Sequence, residues 1–395
     1  MPNNLFAAVL SVLSASSAIA QTPPPPPPRQ TQADDYTRYE LLAPGSGKFR
    51  ILYEVTATTP ASTQFFNPIR KGSVASDERV IDMMTGKPLV FDVVGGTVAR
   101  EGGVRNADST GQYIRVRLAR PVAKDGETRI LIDKTYYDTA SYRIRGDSLV
   151  FDRPLGIKRN AIVLPAGYEL VSSNFPSQVL QEPDGRIKVS FLNNTPAEAP
   201  VQLRARRSPA LAGKASALSN ELRRRLDERA HQSREIVYYL QQPETHAFDL
   251  YHDYTETRPG IDRYLNVVRA GSSVSKPHAT LLDTGEELRF DIQRGDSEVV
   301  VFHFPPVKPG ETARLRMFET YTDTARYKLA GDELVWDRSF GRPANAVVLP
   351  AGWVLTNSSI PATVSELPDR RIRLDFINPR PDEIAVLITA RRRSK

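Results

Sequence analysis

TYYDTASYRIRGDSLVFDRPLGIKRNAIVLPAGYEL, residues Thr135–Leu170, returns as TYTDTARYKLAGDELVWDRSFGRPANAVVLPAGWVL, residues Thr320–Leu355. Continued to Arg206 and Arg391, the two 72-residue stretches agree at 35 positions, without a gap, at a constant offset of 185. The chain is a tandem duplication. The residues ahead of this stretch also recur, at an offset of 199: Tyr39, Leu41, Pro44, Phe49, Thr56 and Asn67 answer to Tyr238, Leu240, Pro243, Phe248, Thr255 and Asn266. The change of offset gives the first copy 14 extra residues between Asp92 and Thr135.

Within a copy the hydrophobic period is two. Phe49-Ile51-Tyr53-Val55, Ile114-Val116-Leu118, Ile130-Ile132 and Ile187-Val189-Phe191 alternate with polar neighbours, the pattern of strands with one buried face. Turn signals at Thr85-Gly86, Asp125-Gly126, Gly146-Asp147 and Asp184-Gly185 separate them. Pro165-Ala166-Gly167 and Pro350-Ala351-Gly352 each end a strand and turn the chain. The expected class is all-β: two homologous antiparallel β-sandwiches of about nine or ten short strands each, joined by one amphipathic helix.

The expected division is 1–20 signal peptide, 21–35 proline-rich spacer, 36–207 first repeat, 208–237 linking helix and 238–395 second repeat. Residues 5–20 are an apolar run closing on Ala18-Ile19-Ala20, the small-x-small pattern of a secretory cleavage site, although no Lys or Arg precedes it. An uncleaved anchor is the alternative, and the run is short for a span. Pro23–Pro28 form a polyproline rod of roughly 20 Å. In the linking segment Leu218, Leu222, Leu226 and Ala230 fall four apart, with Ser216 or Ser219 as cap, which suits packing on one repeat or along a seam.

With 395 residues and 40% hydrophobic content the chain can bury a core in each copy. Charges of both signs, 53 basic against 46 acidic, are interspersed. There is no cysteine, which excludes disulfides, thiolate metal sites and a cysteine nucleophile. The five histidines, His231, His246, His252, His278 and His303, show no metal-ligand spacing, and no GxSxG, Walker or dinucleotide motif occurs. No cofactor is expected. The basic runs Arg223–Arg225 and Arg391–Arg393 lie on a mixed-charge helix and at a terminus, which argues against nucleic acid and leaves anionic lipid or polysaccharide as targets.

Three groups of residues could carry local chemistry. Asn106, Asp108, Thr110 and Gly111 occupy positions 1, 3, 5 and 6 of a calcium-loop pattern, but Arg117 stands where a bidentate Glu is required, and a polar turn explains them equally. Tyr168 and Trp353, at equivalent places, are candidate platforms for sugar rings or else core aromatics. Asp138 and Asp152, with Asp323 and Asp337 in the second copy, could act as the acid and base of a hydrolase. Their duplication favours a folding role, since a single active site needs residues peculiar to one place. On that criterion the Gly-rich insert at 93–112 is where a function absent from the second copy would lie.

Two phrases, LARPVAKDGETRILIDKTY at Leu118–Tyr136 and FPPVKPGETARLRMFETY at Phe304–Tyr321, resemble the strand–Gly-Glu turn–strand segment in the N-terminal β-domain of gluzincin aminopeptidases. That resemblance implies a β-domain and no enzymatic residue, because no zinc-binding catalytic domain follows. The LPAGYEL phrase is similar to those of exported bacterial tandem β-repeat proteins, which implies the cell envelope. The expected function is a non-catalytic exported envelope protein with a binding or scaffolding role and a protein partner, such as an extrinsic periplasmic subunit of a membrane complex. The alternatives are a polysaccharide- or peptide-acting hydrolase and a glycan-binding module.

Overall fold

The computed structural model describes residues 27–393, apart from Arg234 and Asp296. The apolar run at 5–20 and most of the proline run lie outside the described residues. Strands dominate the rest, and among the described residues no helix is long and apolar enough to cross a membrane.

Each repeat builds a large sheet covered by two smaller ones. In repeat 1 the large sheet has seven strands, in the order Gln178–Gln181, Ile187–Leu192, Arg159–Val163, Gln32–Leu41, Lys48–Ala57, Thr128–Tyr137, Val74–Asp82. A four-stranded sheet around Ser148–Leu155 and Ala199–Arg207 and a three-stranded sheet around Gln112–Arg117 form the second layer. Repeat 2 reproduces this order strand for strand and adds the two-residue Glu286–Glu287 at one edge. The alternation expected from sequence holds in Lys48–Ala57, where Phe49, Ile51, Tyr53 and Val55 are buried. Gly167 and Gly352, at φ 74° and 85°, make the left-handed turns after their proline.

The expected class of two tandem β-sandwiches built mainly from antiparallel strands holds, and two details differ. Among the described residues the repeats hold 14 and 15 strands rather than nine or ten, because pieces such as Tyr142–Arg145 and Gln178–Gln181 are too short to show a period. Each copy also contains one parallel pair, Gln32–Leu41 with Arg159–Val163 and Glu235–Leu240 with Ala344–Val348, where a long connection returns beside the first strand. The first strand begins at Gln32, inside the segment read as spacer. Gln30 donates to the Phe66 carbonyl and accepts from the Phe66 N–H, tying the chain down even earlier.

The insert in repeat 1 joins the antiparallel strands Phe91–Gly95 and Gln112–Arg117 and folds on itself. Gly96–Glu101 is a helical turn, and Ala99, Ala107, Tyr113 and Phe66 make a small core of their own. Gly102 is required there by proximity: a Cβ would stand 2.3 Å from the Phe66 ring. The linking helix spans only Ala217–Leu226, capped by the Ser216 hydroxyl, which accepts the Ser219 N–H at 3.0 Å. Its stripe does not pack: Leu218, Leu222 and Leu226 are 64%, 47% and 47% exposed. Only Ala230, beyond the helix, enters the seam, against Leu192 and Ala344.

The repeats meet through a pseudo-twofold junction. Residues 123–127 of repeat 1 touch 282–285 of repeat 2, while 310–312 of repeat 2 touch 83–86 of repeat 1. Glu127 N–H donates to Leu282 O at 2.7 Å, and Thr312 N–H donates to Met84 O at 2.9 Å. Charged contacts across it do not follow the symmetry, among them Arg316 with Glu127 at 3.0 Å. Arg129 donates to Asp283 at 2.8, 3.1 and 3.2 Å and to Thr312 Oγ1 at 2.9 Å, with both charged side chains buried. The position matching Asp283 in repeat 1 is Met84.

Candidate functional site

The residues singled out from sequence are placed as follows. Trp353 is 2% exposed, donates its indole N–H to Gln242 at 2.9 Å and carries the Arg392 guanidinium over its ring. It is a core residue, which corrects the platform reading. Tyr168 packs half-buried against the core of repeat 1. Asp108 accepts the Thr110 N–H and hydroxyl at 2.9 and 2.8 Å, bonds that close a polar turn and hold its carboxyl below the usual range. Among the described residues no group of three or more His, Asp or Glu could hold a metal ion.

The hydrolase pair dissolves for a similar reason. Asp138 accepts from Ser141 N–H, Ser141 Oγ, Ser73 Oγ and Arg153 at 2.7 to 3.1 Å. Burial raises its pKa, but these bonds outweigh it and the carboxyl stays below its ordinary value. Asp323 repeats the arrangement with Arg326, Ser272 and Arg338. Each is the anchor of one turn, saturated by neighbours. Asp152 faces Arg143 and Gln202 instead, away from Asp138's cluster. Arg153, although next to Asp152 in the chain, pairs with Asp138 at 2.9 Å.

What is peculiar to one copy lies between the sheets of repeat 2. A cavity of about 400 Å³ is lined by His252, Asn266, Arg269, Tyr321, Arg338, Ser339 and Arg342, and reaches the linker at Asp227 and Arg229. Strand alternation sends His252 and Tyr321 inward from neighbouring strands, beside buried Glu319. In repeat 1 the positions of His252, Glu319, Ser339 and Arg342 are held by Tyr53, Lys134, Pro154 and Ile157, and Tyr53 and Ile157 belong to the apolar core there.

The electrostatics of the cavity are set by hydrogen bonds. Arginine has no acceptor, so the contact of Arg342 with His252 Nδ1 at 2.5 Å makes that nitrogen the acceptor and puts the imidazole proton on Nε2. Nε2 points at Glu319, 3.7 Å away, longer than a hydrogen bond. Burial, and then the Arg342 guanidinium, pushes the imidazole below its ordinary pKa and keeps it neutral. Glu319 accepts the Asn266 amide at 2.7 and 2.9 Å. Burial and the Glu319 carboxylate push the Tyr321 phenol up, so it remains protonated. Ser339 is no nucleophile in waiting: its hydroxyl donates to Glu383 and accepts from Arg269, and neither partner is a histidine.

No family model matches the chain, and no curated protein matches it. Among solved structures it is similar to the M1 zinc metallopeptidase of Deinococcus radiodurans, at 16% identity and a TM-score of 0.27, over 40% of this chain and 41% of that one. A putative nutrient binding protein of Legionella pneumophila is similar at 9% identity and a TM-score of 0.28, over 50% and 71%. A collagen adhesin of S. aureus follows at 6% identity and a TM-score of 0.19, over 79% and 87%. The chain thus spans about two fifths of the metallopeptidase's length. The resemblance read from Leu118–Tyr136 and Phe304–Tyr321 reappears as this weak structural one, and it speaks to neither activity nor ligand.

The outward faces of the same strands differ between the copies as well. Tyr239, Tyr251, Phe318 and His278 form a row across four strands, with His278 stacked on Phe318 at 4.7 Å. Arg316 and Arg371 cover Tyr251 and Tyr239. Repeat 1 carries Glu40, Leu52, Asp133 and Arg79 at these positions, where Arg50 pairs with Glu40 and Asp133, and Arg79 also pairs with Asp133. Neither the row nor the cavity was found by asking where the copies differ in length. Comparing inward and outward positions pair by pair would have shown both.

Proposed function

We propose that this chain is a non-catalytic binding protein, exported to the cell envelope, whose ligand site is the polar cavity of repeat 2. The observation that carries this reading is a contrast between copies at four positions: His252, Glu319, Ser339 and Arg342 stand at or beside the cavity of repeat 2 where repeat 1 has Tyr53, Lys134, Pro154 and Ile157, while Asn266, Arg269, Tyr321 and Arg338 are common to both. Export rests on the apolar run at residues 5–20. The test is thermal unfolding in the presence of the low-molecular-weight fraction of an envelope extract. A ligand that binds only the folded state raises the midpoint. The rise should appear in the wild type and vanish in Ser339→Pro, which installs the residue of repeat 1. An equal rise in both would refute the reading.

A scaffolding role is favoured by a different observation, the exposed stripe of Leu218, Leu222 and Leu226 on the linking helix. An envelope partner would bury it. Replacing the three leucines by serine should release such a partner and leave the fold intact.

A further inference from the structure

We infer that the cavity of repeat 2 takes a neutral, polyhydroxylated ring, a sugar in the free state, in preference to any ion. The inference rests on the binding reading above and adds the chemical class. Four guanidiniums border the cavity, those of Arg229, Arg269, Arg338 and Arg342. Four carboxylates answer them. Arg338 pairs with Asp323 at 2.7 Å, Arg269 with Glu383 at 2.9 Å and Arg229 with Asp227 at 3.8 Å, while Glu319 and Arg342 meet on opposite nitrogens of His252. The charges close among themselves. An anion or cation entering would be desolvated without a counter-charge, which costs several kcal/mol.

A hydroxyl group meets no such penalty, since it donates and accepts with paired ions as readily as water does. The lining supplies both roles: the Asn266 amide oxygen accepts, the Tyr321 hydroxyl and the His252 Nε2–H donate, and the rims of the ion pairs do either. Leu250, Ile236, Val267 and Pro343 supply apolar wall between them. A ring with C–H faces and hydroxyl edges matches that mixture, and about 400 Å³ lies within the usual range of ligand pockets.

The experiment is saturation-transfer NMR on the full chain with neutral monosaccharides (glucose, galactose, N-acetylglucosamine and mannose) at millimolar concentration. Acetate, inorganic phosphate and glucosamine serve as charged controls. At least one neutral sugar should bind, the controls should not, and binding should weaken about tenfold or more in Ser339→Pro. Arg342→Ile, also a repeat-1 residue, is the second variant should the first unfold, with circular dichroism reporting the fold. Binding of acetate or phosphate alone, lost in the variants, would overturn the sugar class and leave the binding reading standing. Sugar binding unchanged in both folded variants would overturn the cavity as its place. No binding of any probe would overturn the proposal.

Discussion

Replacing Arg129 by methionine removes the most buried of the charged contacts between the two repeats. Arg129 and Asp283 side chains are 6% and 1% exposed, and the guanidinium makes three bonds to the carboxylate and one to Thr312. Without Arg129, Asp283 keeps the Arg314 N–H at 3.2 Å and the more distant Arg120 at 3.9 Å. A buried carboxylate losing its main partner costs about 3–5 kcal/mol. At roughly 2–4 °C per kcal/mol for a unit of repeat size, the midpoint should fall by roughly 6–20 °C. The loss sits at the junction, so calorimetry should also show a single transition separating into two. Adding Asp283→Met, which gives repeat 2 the residue of repeat 1, should restore most of the stability, since an apolar pair replaces a buried ion pair at little cost. A midpoint within about 1 °C of the wild type for Arg129→Met would refute the reasoning.

Lys134, buried beside Asn67 in the core of repeat 1, has its pKa pushed down by burial to about 7 from 10.5. Between those values the unfolded chain binds the proton and the native chain does not, so stability should rise with pH from about 7 to 10. Below pH 7 the full penalty applies, of order 5 kcal/mol at 1.36 kcal/mol per unit. Lys134→Met should flatten that rise in urea titrations and stabilise the protein at pH 7, less about 1–3 kcal/mol for the Asn67 acceptor it strands. Asp138→Ala should cost about 3 kcal/mol or more because it strands Arg153, whereas Asp152→Ala, at a surface pair with Arg143, should cost about 1 kcal/mol or less by the same denaturation assay. Gly102→Ala should cost about 1–3 kcal/mol by overpacking Phe66, read as a lowered midpoint without loss of the second repeat's transition.

Much of the architecture could be read from the chain because the duplication checks every local guess twice. The alternation in Phe49–Val55 predicts a strand, and its recurrence around Phe248 makes the strand part of a repeat. The parallel pairing of Tyr36 with Arg159 could not be read, since nothing local records which distant strand lies alongside. The cavity stayed hidden for a related reason. His252 and Glu319 are 67 residues apart and share no motif, and only the pairing of Leu250 with Glu319 and of His252 with Met317 brings their strands together. Their chemistry depends on burial, which no spacing reports. For Trp353 the sequence left a sugar platform and a core aromatic open, and the turn after Pro-Ala-Gly decides for the core by folding the indole back onto Gln242.

The reciprocal junction makes the chain a dimer closed into one polypeptide, and this changes what mutation can do to it. In a pair of identical subunits every substitution arrives twice, and a buried lysine on one side obliges a buried lysine on the other. Here corresponding core positions hold Lys134 and Glu319, opposite charges that two copies of one gene product could never carry at once. Covalent fusion has let one half keep the shape while the other departs from it.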